Sequence, residues 1–292
     1  MNNNKDKMMM IGAMTIFGTI GIFRKYIPLP SSLLALARGI IGTAFLLFLV
    51  LAVKRDKLSI EAIKRNFVFL VVSGAFIGFN WILLFEAYQY TTVATATLCY
   101  YMAPVIVVLV SPFLFKERLT PLKAICVAVA LAGMVFVSGI PQSGFGGMSE
   151  LKGILLGLGA ATLYAIVVIL NQYIKDIPAY DKTIMQLGTA AIAILPYTLL
   201  TENFADISFT PVAVLMLLFV GIVHTGIAYT LYFGSMSGLK AQTIALFSYI
   251  DPVVAIILSA VILQENIGLW GVIGAVMVLG STMVSELFGE KK

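Results

Sequence analysis

One pattern occurs twice in this chain, as Tyr101-Met102-Ala103-Pro104-Val105 and, 148 residues later, as Tyr249-Ile250-Asp251-Pro252-Val253. Each copy lies inside a long apolar run. At the same offset, further matches pair Thr95, Leu98, Ser111, Glu117 and Leu131 with Thr243, Leu246, Ser259, Glu265 and Leu279. Two matching halves in one membrane chain are a sequence feature that many secondary transporters share.

The composition predicts the environment of the protein. The chain is 60% hydrophobic and only 11% charged, with a mean hydropathy of +1.01. Soluble domains carry about 25% charged residues, so this chain has too little polar surface to face water. We therefore predict an integral membrane protein.

Ten apolar stretches are each long enough, at about 20 residues, to cross a bilayer as a helix. They cover residues 8–26, 31–53, 66–88, 92–115, 120–139, 152–174, 182–200, 211–234, 240–263 and 268–288. A helix satisfies every backbone amide within its own segment, as the bilayer core requires. The prediction is an all-α integral membrane protein with ten transmembrane helices.

The basic residues predict the orientation. If the N-terminus is cytoplasmic, 15 of the 19 Lys and Arg residues lie in cytoplasmic segments and three in outer loops, while Arg38 lies within a helix. The positive-inside rule then places both termini in the cytoplasm of a multi-pass cell-membrane protein. The net charge of +5 is explained by this topology, so no nucleic-acid partner is predicted.

The duplication predicts two repeats of five helices. The first repeat covers residues 1–139, an outer linker covers 140–151, and the second repeat covers 152–292. Because five is odd, the second repeat enters the membrane from the opposite side, which makes the topology inverted. A duplication retained only for packing is the alternative.

Further residues in the two halves carry a family resemblance. They are Phe17-Gly18 and Tyr164-Ala165, Arg24, Leu36-Ala37-Arg38, Gly78 to Trp81, Gly226 to Tyr229, the two Pro-Val steps, Lys116-Glu117 and Gln264-Glu265. Each half resembles a five-helix unit of the EamA type, in the drug/metabolite transporter superfamily. The resemblance implies a ten-helix transporter, and it leaves open whether amino acids, drugs, sugars or other metabolites are moved. The halves differ where Gln186 matches Arg38 and Asn171 matches Arg24.

Pro104 and Pro252 lie about 12 residues into their predicted helices, near the bilayer midplane. Proline there removes a backbone hydrogen bond and kinks the helix, so each is a candidate for a functional or a packing kink. Asp251 is at the same depth, where an unpaired carboxylate is costly. It is predicted to be a cation counter-charge, a proton carrier or a structural ion-pair partner, and the resemblance allows the structural role.

Arg38 lies about 10 Å below the outer start of its helix. Either it contacts a ligand or its long side chain reaches the headgroups. His224 is suited to hydrogen-bonding a substrate, while a single His is too little for a metal site. No metal or other cofactor is predicted.

Seven aromatic residues lie within helices rather than at the membrane interfaces, where aromatic belts occur. They are Phe17, Trp81, Tyr100, Tyr101, Tyr164, Tyr229 and Tyr249. With Asn80 they are predicted to form an amphipathic cavity for a substrate, although packing is the alternative for each. Because neighbouring helical residues point about 100° apart, we expect only one of Tyr100 and Tyr101 to face the cavity.

The predicted function is a secondary transporter of small organic metabolites, an exporter of amino acids or related compounds that works by alternating access. The chain contains no Gly-x-x-x-x-Gly-Lys-Ser/Thr nucleotide motif, so substrate or ion gradients supply the energy. The alternative is a carrier for organic cations, quaternary amines or drugs, with proton coupling open in both cases. An enzyme is not predicted. The predicted partners are a small-molecule substrate and the lipid bilayer, and the chain is either a monomer or a homodimer.

Overall fold

The computed structural model describes residues 3–53, 57–115, 120–137, 147–236 and 247–288, and these ranges contain helices and no strands. By length and composition, eight helical segments can cross a membrane. They are Asn4–Tyr26, Ser31–Val53, Phe67–Tyr90, Val93–Leu114, Met148–Asn171, Ala179–Thr201, Pro211–Ser235 and Gly268–Ser285. Pro121–Val137 and Ile250–Ile262 are shorter apolar helices. The predicted all-α membrane class is confirmed.

The part of the chain before residue 138 contains eight helices among the described residues. They are α1 (Asn3–Gly18), α2 (Ile20–Tyr26), α3 (Ser31–Phe48), α4 (Ile60–Arg65), α5 (Phe67–Tyr90), α6 (Val93–Tyr100), α7 (Ala103–Phe115) and α8 (Pro121–Val137). A π-helical segment, Leu49–Val53, continues α3.

The part after residue 146 contains six described α-helices. They are α9 (Met148–Asn171), α10 (Ala179–Thr201), α11 (Pro211–Phe219), α12 (Ala228–Met236), α13 (Ile250–Ile262) and α14 (Gly268–Phe288). The π-helical segment Val220–Ile227 joins α11 to α12. Segments of this kind often occur at functional sites.

Several observed boundaries differ from the predicted ones. The first predicted span is interrupted at Thr19, and the fourth is interrupted at Tyr101 and Met102. Helix α9 begins at Met148, so the last four residues of the predicted linker 140–151 are helical. Hydropathy alone misses this turn because it contains the polar residue Glu150. The negative charge of Glu150 nevertheless stabilises the N-terminus of a helix.

Some predicted features lie outside the described residues. They are the linker residues 140–146, the first residues of the predicted span 240–263, and the matched residues Lys116, Glu117, Thr243 and Leu246.

The main helix contacts join residues 3–137 to residues 147–288. Helix α5 packs against α9 and α10, α3 packs against α10 and the π-helical segment Val220–Ile227, and α1 packs against α12 and α13. Helix α6 contacts α13, and α8 pairs with α14. Gly18 allows one of these approaches, because a Cβ atom there would lie 2.6 Å from the Asp251 carbonyl oxygen. The interior of the protein is therefore largely an interface between the two parts of the chain.

Polar contacts join the two parts at both ends of the helix bundle. At one end, Asp181 accepts a hydrogen bond of 2.8 Å from the Ser59 amide, and the side chain of Asn66 bonds the backbone of Lys175. At the other end, Glu265 accepts hydrogen bonds from the Val93 amide at 2.9 Å and from the Ser259 hydroxyl. The first end is called the Asp181 end below, and the second is called the Glu265 end.

Arg24, on α2, is 4% exposed and has partners on three sides. Its guanidinium donates hydrogen bonds to the Ile27 carbonyl at 2.9 Å, the Phe85 carbonyl at 3.3 Å and the Ser31 hydroxyl at 2.9 Å. Ser31 in turn donates to a Glu86 carboxylate oxygen at 2.6 Å. This network connects α2, α3 and α5 and neutralises a buried charge.

Candidate functional site

The two copies of the repeated pattern meet in space. Pro252 has no N–H group, so it cannot bond the carbonyl of Ser248 one helical turn earlier. The Tyr101 hydroxyl donates a hydrogen bond of 3.2 Å to that Ser248 carbonyl oxygen. The tyrosine of one copy therefore bonds the backbone one helical turn before the proline of the other copy.

Four tyrosines surround this contact, and we call them the tyrosine cluster: Tyr100, Tyr101, Tyr164 and Tyr249. The ring centroids are 5.3 Å apart for Tyr100 and Tyr164, 6.4 Å for Tyr101 and Tyr249, and 6.2 Å for Tyr100 and Tyr101. Both Tyr100 and Tyr101 belong to the cluster, whereas the sequence predicted only one. Helix α6 ends at Tyr100, so the two rings are not held at helical spacing. Tyr100 contacts Tyr164 on α9, and Tyr101 contacts Tyr249, which precedes α13.

A second group of rings lies beside the tyrosine cluster. Phe17 on α1 makes edge contacts with Tyr229 and Tyr232 on α12, at centroid distances of 5.3 Å and 6.3 Å. The Tyr229 hydroxyl also interacts electrostatically with those of Tyr100 and Tyr164. The predicted aromatic residues of α1, α6, α9 and α12 therefore face one another across the interface between the two parts of the chain.

Asp251 lies within the tyrosine cluster. Its carboxyl group lies near the side chains of Tyr88, Tyr100, Tyr101 and Tyr164. The described residues provide no salt-bridge partner for it. Asp251 is partly exposed, as are Tyr100 and Tyr101, and Tyr164 is 40% exposed. Asp251 therefore combines partial exposure with an aromatic surrounding, which makes it a candidate for the site.

Arg38 is 6% exposed, and its side chain points into the bundle. The guanidinium carbon lies 4.3 Å from the centre of the Trp81 ring and 5.3 Å from that of Phe85. The Nε atom donates a hydrogen bond of 3.1 Å to the Thr225 hydroxyl. The alternative in which Arg38 extends to the headgroups is therefore wrong, because two rings and a hydroxyl hold it inside the protein.

Thr225 reaches Arg38 because α3 has a glycine at the point of contact. A Cβ atom at Gly42 would lie 2.3 Å from the Thr225 methyl carbon. Thr225 itself is fully buried and belongs to the π-helical segment Val220–Ile227. The close approach of this segment to α3 thus determines where the Arg38 guanidinium lies.

Helix α5 supplies one face of the site. Trp81, Phe85 and Tyr88 are spaced i, i+4 and i+7, which places them on the same side of the helix. Tyr88 is 2% exposed, and its hydroxyl lies 3.4 Å from that of Thr97. The sequence prediction included Trp81 and omitted Phe85 and Tyr88, although this helical spacing was a signal for both. Thr225 was also omitted, and only its position relative to Arg38 reveals it.

Two predicted site residues form their hydrogen bonds outside the tyrosine cluster. Asn80 donates a hydrogen bond of 2.6 Å to the Ala160 carbonyl and thereby joins α5 to α9. His224 lies between the rings of Phe23 and Phe219, with its Nε2 atom 2.7 Å from the Thr19 hydroxyl oxygen. Because that hydroxyl donates to the Ile16 carbonyl, the Nε2–H group of His224 is the donor in this contact.

Both prolines lie in the first turn of a helix, but their surroundings differ. Pro252 is buried in the first turn of α13, next to Asp251. Pro104 lies in the first turn of α7 and borders a small apolar groove that Cys126 and Thr282 also line. Among the residues that the structure describes, no group of three or more His, Cys, Asp and Glu side chains is placed to hold a metal ion.

A family model matches this chain twice. The model describes the EamA-like transporter family, and its matches cover residues 7–139 and 151–286. Together they include nearly the whole chain.

Named relatives are also transporters. The chain is 33% identical over 274 residues to the uncharacterized transporter YxxF of Bacillus subtilis (strain 168), covering 92% of this chain and 85% of that protein. It is 28% identical over 189 residues to the aromatic amino acid exporter YddG of Ancylobacter novellus, covering 64% of each. A crystal structure of another protein superposes with a TM-score of 0.67 at 23% identity, covering 97% of this chain and 96% of that one. This last likeness shows the fold alone.

Proposed function

Because the chain belongs to the EamA-like transporter family and is a multi-pass membrane transporter, we propose that it exports amino acids or related small metabolites by alternating access. The family and the named relatives indicate a transporter rather than an enzyme. The substrate binds among the tyrosine cluster, Phe17, Tyr229, Arg38 and Asp251. The observation that supports this proposal is the meeting of both repeated patterns next to a carboxylate that lacks a salt-bridge partner among the described residues.

The proposed mechanism needs two halves that can exchange positions. We propose ten membrane helices in two inverted repeats, within residues 1–139 and 152–292. The two matches of the family model and the packing of each part of the chain mainly against the other support this organisation. Inverted repeats have two arrangements of similar energy, and each opens the central site to one side of the membrane.

The proposed orientation has both termini in the cytoplasm of a cell-membrane protein. Lys57, Lys64, Arg65, Lys175 and Lys182 all lie at or near the Asp181 end of the bundle. The positive-inside rule makes that end cytoplasmic. The Glu265 end is then the outer one, and in this structure the contacts of Glu265 with the Val93 amide and Lys25 join helices there.

An aromatic amino acid is the substrate that fits the site best. Rings stack on rings, and tyrosine hydroxyl groups hydrogen-bond the polar end of such a molecule. A relative that is 28% identical is named an aromatic amino acid exporter, which supports the same class and the same direction.

The test is counterflow of labelled L-phenylalanine in liposomes that contain the purified protein and unlabelled L-phenylalanine. We expect transient accumulation of label, and we expect Tyr164→Ala to weaken the apparent affinity roughly two- to tenfold because a stacking partner is lost. Tyr197→Ala is the matched control, since Tyr197 is 41% exposed, close to the 40% of Tyr164, and contacts Phe79 outside the site. Equal effects of the two substitutions would overturn the assignment of this site.

A carrier for organic cations is the second candidate. A carboxylate surrounded by aromatic rings is an arrangement that binds quaternary amines, and Asp251 has this environment. Counterflow of labelled tetramethylammonium in liposomes loaded with the unlabelled cation distinguishes the candidates. Accumulation of this cation without any counterflow of L-phenylalanine would favour the second.

A further inference from the structure

The Arg38 guanidinium has N–H donors without a partner among the described residues. Its Nε atom bonds Thr225 and its plane lies near two rings, but no described residue forms a hydrogen bond or salt bridge with its two terminal nitrogen atoms. A charged group at membrane depth is expensive unless it is paired, and an arginine offers five N–H donors. The structure therefore retains a buried cation whose strongest binding edge is unused.

We infer that Arg38 binds the carboxylate of the substrate, so that this transporter selects solutes that carry a carboxylate group. The inference rests on the proposed transport function and names the chemical class that the site accepts. A guanidinium pairs with a carboxylate through two parallel N–H···O bonds. The edge formed by the two terminal nitrogen atoms is the one that remains available for this geometry.

Asp251 is the negatively charged group of the site, and Tyr88 and Tyr100 lie near both Asp251 and Arg38. No salt bridge joins Arg38 to Asp251. The site therefore has a positive pole at Arg38 and a negative pole at Asp251 that are not paired with each other. An amino acid satisfies both poles with its carboxylate and its ammonium group. An amine without a carboxylate would leave Arg38 unpaired, which costs binding free energy.

Thr225 is a positioning residue in this arrangement. Its hydroxyl accepts the Arg38 Nε–H bond, and Gly42 provides the space that brings it within reach. A guanidinium fixed at Nε and beside two rings has lost most of its freedom before the substrate arrives. Less conformational freedom is then lost on binding, which raises affinity.

The test measures binding to the purified full-length protein by thermal shift, with three related probes. L-Phenylalanine carries both charges, 2-phenylethylamine lacks the carboxylate, and 3-phenylpropionate lacks the ammonium group. For the wild type we expect both carboxylates to stabilise the protein and 2-phenylethylamine to have no effect at the same concentration. Arg38→Met should weaken the binding of both carboxylates by about 10- to 100-fold, the range expected for hydrogen bonds to a charged group.

Thr225→Val keeps the arginine and removes only its partner. We expect a higher KM for L-phenylalanine counterflow with an unchanged maximal rate, and recovery in Thr225→Ser. Thr230→Val is the matched control, because the Thr230 hydroxyl on α12 donates to the Gly226 carbonyl one helical turn earlier and not to Arg38. A structural role of Thr225 alone would lower the melting temperature without separating KM from the maximal rate.

The outcomes separate the two proposals. If the carboxylates bind and Arg38→Met binds them equally well, the role of Arg38 is overturned and amino acid transport stands. If 2-phenylethylamine binds the wild type as tightly as L-phenylalanine, carboxylate selection is overturned and a cation carrier is favoured. If no carboxylate among a panel of aromatic and aliphatic amino acids binds, both the inference and the amino acid substrate fail.

Discussion

Arg24 and Arg38 are two arginines of the same protein, 4% and 6% exposed, with opposite surroundings. Arg24 donates to two backbone carbonyls and to Ser31, which connects it to the Glu86 carboxylate. Arg38 donates to one hydroxyl and lies against two aromatic rings. Burial alone therefore does not separate these two arginines, whereas the number of satisfied donors does.

The same substitution at both positions separates the two roles, and Arg24→Met has the largest expected effect. It removes every hydrogen bond of the guanidinium and leaves the Glu86 carboxylate without its positive neighbour. Loss of one member of a buried charged network costs about 3–5 kcal/mol. We expect a strongly reduced melting temperature of the detergent-solubilised protein without substrate, together with a low yield of folded protein. A melting temperature near the wild-type value would contradict the structural role of Arg24.

Ser31→Ala tests the link between Arg24 and Glu86 and has an intermediate expected effect. The hydroxyl accepts from Arg24 and donates to Glu86, so its loss leaves each charged group with one partner fewer. We expect a destabilisation of about 1–3 kcal/mol. Ser281→Ala is the control in the same measurement, because the buried Ser281 hydroxyl bonds only the Val278 carbonyl of its own helix. Equal losses in the two variants would show that Ser31 contributes nothing beyond a local bond.

Arg38→Met has the smallest expected effect on the stability of the protein without substrate, within about 1 kcal/mol of the wild type. The contacts with Trp81 and Phe85 are lost, but so is the cost of keeping an unpaired charge out of water. Melting curves without substrate check this value. A loss as large as that of Arg24→Met would mean that Arg38 is a structural residue, and the comparison between the two arginines would fail.

Much of the fold follows from local patterns in the sequence. The bounds of α3, α5 and α10 agree with the predicted spans within a few residues, because apolar stretches of about 20 residues form helices in a bilayer. The interruptions at Thr19 and at Tyr101 were missed. Hydropathy reports whether a residue prefers lipid, and it does not report where a turn such as Tyr101-Met102 interrupts the helix.

The candidate site was predictable in its aromatic residues and less so in its polar ones. Tyr164 and Tyr249 lie near Tyr100 and Tyr101, and both of the last two take part, whereas the sequence led us to expect only one. His224 was also predicted to contact a substrate, but it is buried between two phenylalanines. The sequence indicates how deep a residue lies in the membrane. Its neighbours depend in addition on how each helix is rotated about its axis.

The sequence by itself determined that this protein is helical and lies in a membrane, that its two halves match, and that Arg38 falls within an apolar helix. These properties depend on the preference of each residue for lipid or water and on a repeat that can be read along the chain. The tertiary structure alone decided which buried charges are satisfied. Arg38 and Thr225 are 187 residues apart in the chain, so their hydrogen bond exists only once α3 packs against the π-helical segment Val220–Ile227. The same packing leaves the terminal nitrogen atoms of Arg38 available to a substrate.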